Sequence, residues 1–226
     1  MVILAIDTAS RSCSVAVVNE KTVMAEINDV SGETHSRHLM AMVDQAVAMS
    51  VKRIAEIKGY AVTRGPGSFT GLRIGISTAK GLAEAAGRPL VGISSLEALA
   101  WQVAQTEAVI IPMLDARRRE VYTTRYTRVE AALKPLAEER ALPPEDAVEG
   151  IAAPCLLVGD GALAYEARLR AVLGARMQLA LPFQHIIRAS TVAYLAHRRM
   201  TNDPLDERMT LSPRYLRQSY VDERRY

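Results

Sequence analysis

Arg64-Gly65-Pro66-Gly67-Ser68-Phe69-Thr70-Gly71 follows the apolar run Tyr60-Ala61-Val62 and leads into a segment of small residues that reaches about Ala86. A strand, a glycine-rich turn and a helix start are the parts of an anion site, because free backbone N–H groups point outward there. The candidate loop residues are Gly65, Gly67, Ser68, Thr70, Gly71 and Arg73. Their spacing fits neither common phosphate motif. A Walker loop needs Gly-Lys-Ser/Thr where Gly71-Leu72-Arg73 stands. A dinucleotide fingerprint needs its third glycine three residues after the second, and here Gly71 comes four after Gly67. The competing reading is a turn with a close helix–sheet contact, in which Gly71, Gly75 and Gly81 let backbones approach. For nucleotide binding, that reading takes precedence.

Upstream, Val2–Ile6, Cys13–Val18 and Thr22–Ile27 are apolar runs separated by short polar turns, which predicts an antiparallel meander. Ser31-Gly32-Glu33-Thr34 supplies a cap, and Leu39, Met42, Val43, Ala46 and Val47 then recur at helical spacing, predicting a helix over about 34–50. Downstream, Pro89–Ile93 reads as a strand and Ser94-Ser95 as the cap of another helix. The order β-β-β-α-β-α-β-α predicts an α/β fold with a mixed sheet and helices packed on it. Val109–Leu114 opens a second set of elements, with a strand over Glu120–Tyr126, a loose connection over 131–150 and a strand at Leu156–Val158 that ends in Gly159-Asp160-Gly161. Helices follow over about 163–173 and 190–200. Both halves begin with an apolar strand ending in Asp, at Asp7 and Asp115, as a weak structural duplication would. The expected units are 1–105, 106–187, and a helix and tail at 188–226 packing back on the first.

The chain has 226 residues, 49% hydrophobic and 23% charged, which excludes disorder as its main state. Two cysteines, Cys13 and Cys155, exclude a disulfide scaffold and fit a reducing compartment. The longest stretch free of charged residues is Met177–Ile187, too short for the ~20 residues of a membrane helix. The N-terminus has no basic n-region, and Asp7 interrupts its apolar run, so no signal peptide is expected and the expected location is the cytoplasm. The net charge of +3 is local: residues 188–226 hold eight Arg and five acids, while basic and acidic residues balance in the rest. So weak a field favours a solvated helix and tail over a nucleic-acid patch.

Several residues bear on chemistry. Asp7-Thr8 puts a carboxylate and a hydroxyl at a strand mouth, where phosphate or hydrated Mg²⁺ could sit; equally, Asp7 could bond its own turn. His35 and His38, with Glu33 nearby, have the i,i+3 spacing of a metal pair but lack a further ligand, so a polar helix start is expected and no metal. Ser68 lacks the Gly-x-Ser-x-Gly elbow of a serine hydrolase. The first helix carries Met40, Met42 and Met49, and the second carries Ile74, Ile76 and Leu82 among small residues. More apolar surface than one sheet covers would suit a partner, but the pattern alone favours ordinary core packing for both helices.

Taken together, Ile3-Leu4-Ala5-Ile6-Asp7-Thr8-Ala9, Gly65 through Gly75, Leu114-Asp115-Ala116-Arg117 with Glu120-Val121-Tyr122, and Pro213-Arg214-Tyr215-Leu216-Arg217 strongly resemble the TsaB (YeaZ) family. The resemblance covers nearly the whole chain. It implies an actin/hexokinase/Hsp70-like (ASKHA) fold of two related lobes, 1–105 the N-terminal one and 106–187 a reduced second one. It also implies a role in forming N6-threonylcarbamoyladenosine beside the anticodon of tRNAs that read codons beginning with A. In that system a TsaB protein is the partner of the transferase TsaD, an ATPase TsaE joins them, and TsaB alone pairs with itself. ATP is then used by partner proteins, no cofactor is expected on this chain, and tRNA is met through the complex.

The residues agree with a non-catalytic partner. Where TsaD-like proteins carry a His-x-x-x-His metal pair, the equivalents here are Ser95 and Leu99, and leucine cannot bind a metal. Asp7-Thr8-Ala9 departs from the Asp-x-Gly-Thr of sugar kinases. The expected partner contact is a helix bundle using Met42, Val43 and Val47 of the first helix and Leu72, Ile76 and Leu82 of the second. One alternative is a stand-alone ATPase or phosphotransferase, with Asp7, Thr8, Gly159, Asp160 and Gly161 as degenerate phosphate loops. A metallopeptidase-like hydrolase is the other.

Overall fold

The computed structural model describes residues 1–32, 35–50, 53–203 and 205–217. Strand β1 (Ile3–Asp7) is buried at all five positions, as a strand covered on both faces must be. It pairs antiparallel with β2 (Cys13–Val18), which pairs antiparallel with β3 (Val23–Asp29), giving the expected meander. After α1 (His35–Ser50), β4 (Gly59–Gly65) joins the other edge of β1 in parallel. Then α2 (Phe69–Ala86) crosses over, and β5 (Leu90–Ser94) adds in parallel to β4. The sheet order is β3-β2-β1-β4-β5.

Alternate residues of the strands feed two cores. Leu4, Ile6, Val15, Val17, Tyr60 and Val62 meet Leu39, Val43 and Ala46 of α1 and Ile76 and Ala79 of α2. On the other face, Ile3, Ala5, Ala16, Ala61 and Val91 meet α3 (Ser95–Trp101) and the late helix over 189–202. Ser94 caps α3, its hydroxyl accepting from the Glu97 amide at 3.3 Å.

The second sheet is built on β6 (Val109–Arg117), with β7 (Glu120–Thr123), β8 (Tyr126–Val129), β9 (Ala132–Pro135), β10 (Arg140–Leu142), β11 (Cys155–Val158) and β12 (Met177–Leu179). Its path is β10-β7-β6-β11-β12, with β8 pairing β6 and β9. Three short helices, α4 (Pro144–Ala147), α5 (Asp160–Ala164) and α6 (Glu166–Leu173), lie with it, and α7 (Ala189–Asn202) returns to the first sheet. Ile110, Leu114 and Val158 join the Leu96 and Leu99 core, so one apolar cluster spans both sheets.

Three expectations change, and one strand is new. The 131–150 stretch is not loose: it holds β9, β10 and α4, because β9 finds its partner in β8 and β10 in β7. The single strand over 120–126 is two, since the chain leaves β7 at Thr123, whose hydroxyl donates to Pro112 O at 2.9 Å, and Thr124 donates to Ala137 O at 2.6 Å. The helix over 163–173 breaks at Tyr165, between α5 and α6. Met177–Leu179, inside the long uncharged stretch, is a parallel edge strand on β11.

Among the described residues, the C-terminal arginines are not a solvated excess. Arg188 pairs with Glu26, Arg199 with Glu97 at 2.5 Å, Arg208 with Asp206 at 2.8 Å, Arg214 with Glu139 at 3.0 Å, and Arg217 with Glu120. Arg198 lies over the rings of Trp101 and Tyr194. The segment 205–217 is a strap. Glu207 N donates to Leu90 O at 2.7 Å, the Glu207 carboxylate accepts from Gly92 N at 2.7 Å, and Leu211 is buried against Gly92. Farther on, Arg214 N donates to Arg64 O at 2.7 Å and the Arg217 guanidinium to Ala116 O at 3.2 Å, so the strap reaches from one sheet to the other. No helix among the described residues is long and apolar enough to cross a membrane.

Candidate functional site

The loop at 65–71 closes directly onto the turn after β1. Ser68 N donates to Ala9 O at 2.7 Å, and a Cβ on Gly67 would sit 2.2 Å from that same oxygen. Thr8 donates its hydroxyl to Gly71 O at 2.8 Å, and a Cβ on Gly75 would meet that hydroxyl at 2.2 Å. Gly67 and Gly75 are therefore glycines because two backbone segments touch there. Gly65, at φ 113°, is backed by Arg214 O of the strap. Ser68 caps α2, its Oγ accepting from Gly71 N at 3.2 Å. Thr70 and Arg73 point outward, and Arg73 lies 3.9 Å over the Phe69 ring, which stacks on Tyr215 at 4.9 Å.

Asp7, Thr8 and Ala9 are at most 1% exposed. Asp7 Oδ1 accepts from the Thr63 hydroxyl at 2.7 Å and from Ala9 N at 3.1 Å, while Oδ2 has no hydrogen-bond partner. Burial raises its pKa to about 7, and the nearby charge of Asp160 adds to the shift. Asp7 thus bonds its own turn, and the Thr8 hydroxyl is already spent.

Across the cleft floor, Gly159 has φ 109°, and a Cβ there would lie 2.2 Å from Met113 O. Its amide donates to Nδ1 of the buried His185, whose Nε2 bonds Ala180 O at 3.0 Å, so this histidine braces the turn. Asp160 Oδ1 accepts from Asp115 N at 3.0 Å, and burial raises its pKa, with the charge of Asp115 contributing. Gly161 packs against the Met113–Leu114 backbone. The fold does bring the Asp7 and Asp160 turns together, but each turn is filled by neighbouring backbone.

Among the described residues, no three His, Cys, Asp or Glu are placed to hold a metal. Glu33 lies outside those residues, and His38 lines a shallow hollow of about 290 Å³ with Asp29, Ser31 and Met42. Ser95 and Leu99 are fully buried in α3.

The proposed contact stripe needs correction. Met42, Val43, Leu72 and Ile76 are 6%, 1%, 0% and 4% exposed, because this is the stripe each helix lays on the sheet. Val47 and Leu82 are half-buried at its border. The outward face of α1 carries Arg37, Ala41, Asp44, Gln45 and Ala48, with Met40 and Met49 at its two opposite borders, and that of α2 carries Arg73, Ser77, Gly81, Glu84 and Ala85. The sequence reading also missed the Phe69–Tyr215 stack and the Glu139 and Glu207 anchors. Those partners are far apart in sequence, so no local pattern marks them.

Residues 25–218 match the family model described as TsaD, tRNA N6-adenosine threonylcarbamoyltransferase. The chain is 31% identical over 206 residues, 90% of each protein, to the Bacillus subtilis tRNA threonylcarbamoyladenosine biosynthesis protein TsaB. It is similar in structure to YeaZ from Pseudomonas aeruginosa, with TM-score 0.79 and 29% identity over 95% of this chain and 99% of that one. The ethanolamine utilization protein EutJ from Carboxydothermus hydrogenoformans, with TM-score 0.56 and 10% identity over 86% of this chain and 89% of that one, shares the actin/hexokinase-like fold alone. On a relative 31% identical and aligned over nine-tenths of both chains, the protein belongs to the TsaB (YeaZ) family.

Proposed function

We propose that this chain is the non-catalytic partner of a TsaD-like threonylcarbamoyltransferase in the formation of N6-threonylcarbamoyladenosine in tRNA. The closed cleft floor carries this reading. Ala9 O is taken by Ser68 N, the Thr8 hydroxyl by Gly71 O, and Asp7 is sealed from solvent. A phosphate needs free donors and an approach path, and both are occupied here by the chain itself. The names of the relatives supply the pathway.

The partner surface in this reading is the outward face of α1 and α2. Met40 and Met49 are 47% and 67% exposed, and Ser77, Gly81 and Ala85 form a low ridge at four-residue spacing. Flexible methionines beside small residues suit close helix packing. A second copy would use the same face when the partner is absent, and a TsaE-like ATPase would join the assembled pair.

The test is reconstitution with TsaD-like and TsaE-like proteins, threonylcarbamoyl-adenylate supply, ATP and unmodified tRNA, following the modified nucleoside by mass spectrometry. The expected result is product only when this chain is present, and none from this chain alone. Product without it would sink the partner role. Product from it alone would sink the non-catalytic one.

A further inference from the structure

Arg73 and Glu84 are both exposed on the outward face of α2. About three helical turns, or about 16 Å, separate them, which puts them on one side of the helix. Between them on that face lie Ser77 and Gly81, and a Cβ on Gly81 would meet nothing within 4 Å. The face has a cation towards one end, an anion towards the other and a low centre.

The cation is held in place. Arg73 Nε donates to the Tyr215 hydroxyl at 3.1 Å, and the guanidinium lies 3.9 Å over the Phe69 ring, which stacks on Tyr215. These contacts fix the guanidinium and leave its terminal nitrogens without an acid among the described residues. The arginines around it differ: Arg64 pairs with Glu207, Arg214 with Glu139 and Arg217 with Glu120. The Glu84 carboxylate meets the Arg208 guanidinium at 3.6 Å, with its own side chain 69% exposed. So long and wet a pair contributes little.

A helix face with opposite charges at its two ends is complementary to itself run backwards. Across a two-fold axis, residue i of one copy meets residue j of the other, and j meets i. An axis beside Ser77 and Gly81 sets Arg73 of each copy level with Glu84 of the other. The small residues there let the helices approach to about 8–10 Å. Lys80 is half-buried at the border of this face, and its flexible stem carries its charge away from the axis.

We propose that Arg73 and Glu84 form two symmetric ion pairs across an antiparallel α2–α2 contact between two copies of this chain, and that these pairs set its direction and register. The inference rests on the self-association included in the function proposed above. A parallel alignment sets Arg73 against Arg73 and Glu84 against Glu84, and like charges in an interface are costly.

The test is a charge exchange in the full chain, read by sedimentation velocity over a concentration series, with thermal circular dichroism to follow folding. Arg73→Glu and Glu84→Arg each set like charges at both contacts, and self-association of either variant is expected to weaken at least about tenfold. Mixed one to one, the two variants regain opposite charges at both contacts, and a mixed dimer within about threefold of the wild-type affinity is expected. Mixing does not mend the lost Phe69 and Tyr215 contacts of Arg73→Glu, so recovery reads the ion pair and not the fold. Single variants that self-associate like wild type, or a mixture no tighter than either, would overturn the pairing. If Arg73→Glu lowers the thermal midpoint, Arg73→Gln and Glu84→Gln carry the test instead: the salt dependence of self-association is expected to shrink in both, and an unchanged dependence overturns the inference. A wild-type chain that stays monomeric over the whole series also overturns it, and leaves the partner role to be decided by the reconstitution.

Discussion

A side chain at position 67 has no space to occupy. Its Cβ would sit 2.2 Å from Ala9 O, so Gly67→Ala is expected to cost about 3 kcal/mol through forced backbone displacement. At Gly81 a Cβ meets nothing within 4 Å, and Gly81→Ala is expected to stabilise the isolated chain by about 0.5–1 kcal/mol through helix propensity. Urea midpoints for the two variants should move in opposite directions. Asp7 gives a pH prediction. Its pKa is about 7 in the folded chain against 3.8 for an unperturbed Asp, so between those values the folded state holds a proton that the unfolded state has released. Its contribution to stability is therefore most favourable below about pH 4, falls as pH rises towards 7, and is flat above. Asp7→Asn should flatten that part of the stability profile, measured by urea melts at pH 5 and pH 8. An undiminished fall in the variant would show that other groups set the slope. The sequence pointed to Asp7-Thr8-Ala9 as a departure from the phosphate turn of sugar kinases. In the structure that turn is also filled by the amide of Ser68, a contact between residues 59 positions apart that no local pattern encodes.

For α1 and α2, periodicity located the helices to within a residue or two at most ends, and the core packing that it favours for their apolar stripes is what the structure shows; only the partner contact implied by the family resemblance was laid on those same buried residues. Residues recurring at three- and four-residue spacing mark the face a helix buries in its own sheet. The off-stripe residues Met40 and Met49 are exposed, so they are the ones that the proposed partner surface would use. Met49→Arg, at a position 67% exposed, should leave the thermal midpoint nearly unchanged while reducing association with the partner or a second copy. Val43→Arg, at 1% exposure, should unfold the chain. Sedimentation velocity and thermal circular dichroism together separate the two outcomes. Associated Met49→Arg would exclude this face. The second sheet was less legible for a related reason. Its strands are three or four residues long in β7 to β12, too short for an alternating pattern to emerge, and they are held by pairing across distant segments.

At the scale of the molecule, the two sheets share a core around Leu96, Leu99, Ile110, Leu114 and Val158, and the 205–217 strap ties them from outside. The mixed α/β architecture was readable from the order of elements; the strap was not, since Pro213 to Arg217 matched only as a familiar ending. Leu211→Ala should cost about 2–3 kcal/mol and speed hydrogen exchange at the Gly92 amide, checked by mass spectrometry of exchanged peptides. Slow exchange there despite the substitution would mean the Glu207 contacts hold the strap alone. The same strap bears on how the protein is made. Strand β5 stands at the edge of its sheet, and its covering segment is synthesised more than a hundred residues later. A ribosome adding about 5–20 residues per second therefore leaves that edge bare for several seconds or longer, open to pairing with another nascent chain. Truncation of the last residues, or slow translation through the second half, should lower soluble yield even where the finished domain is stable.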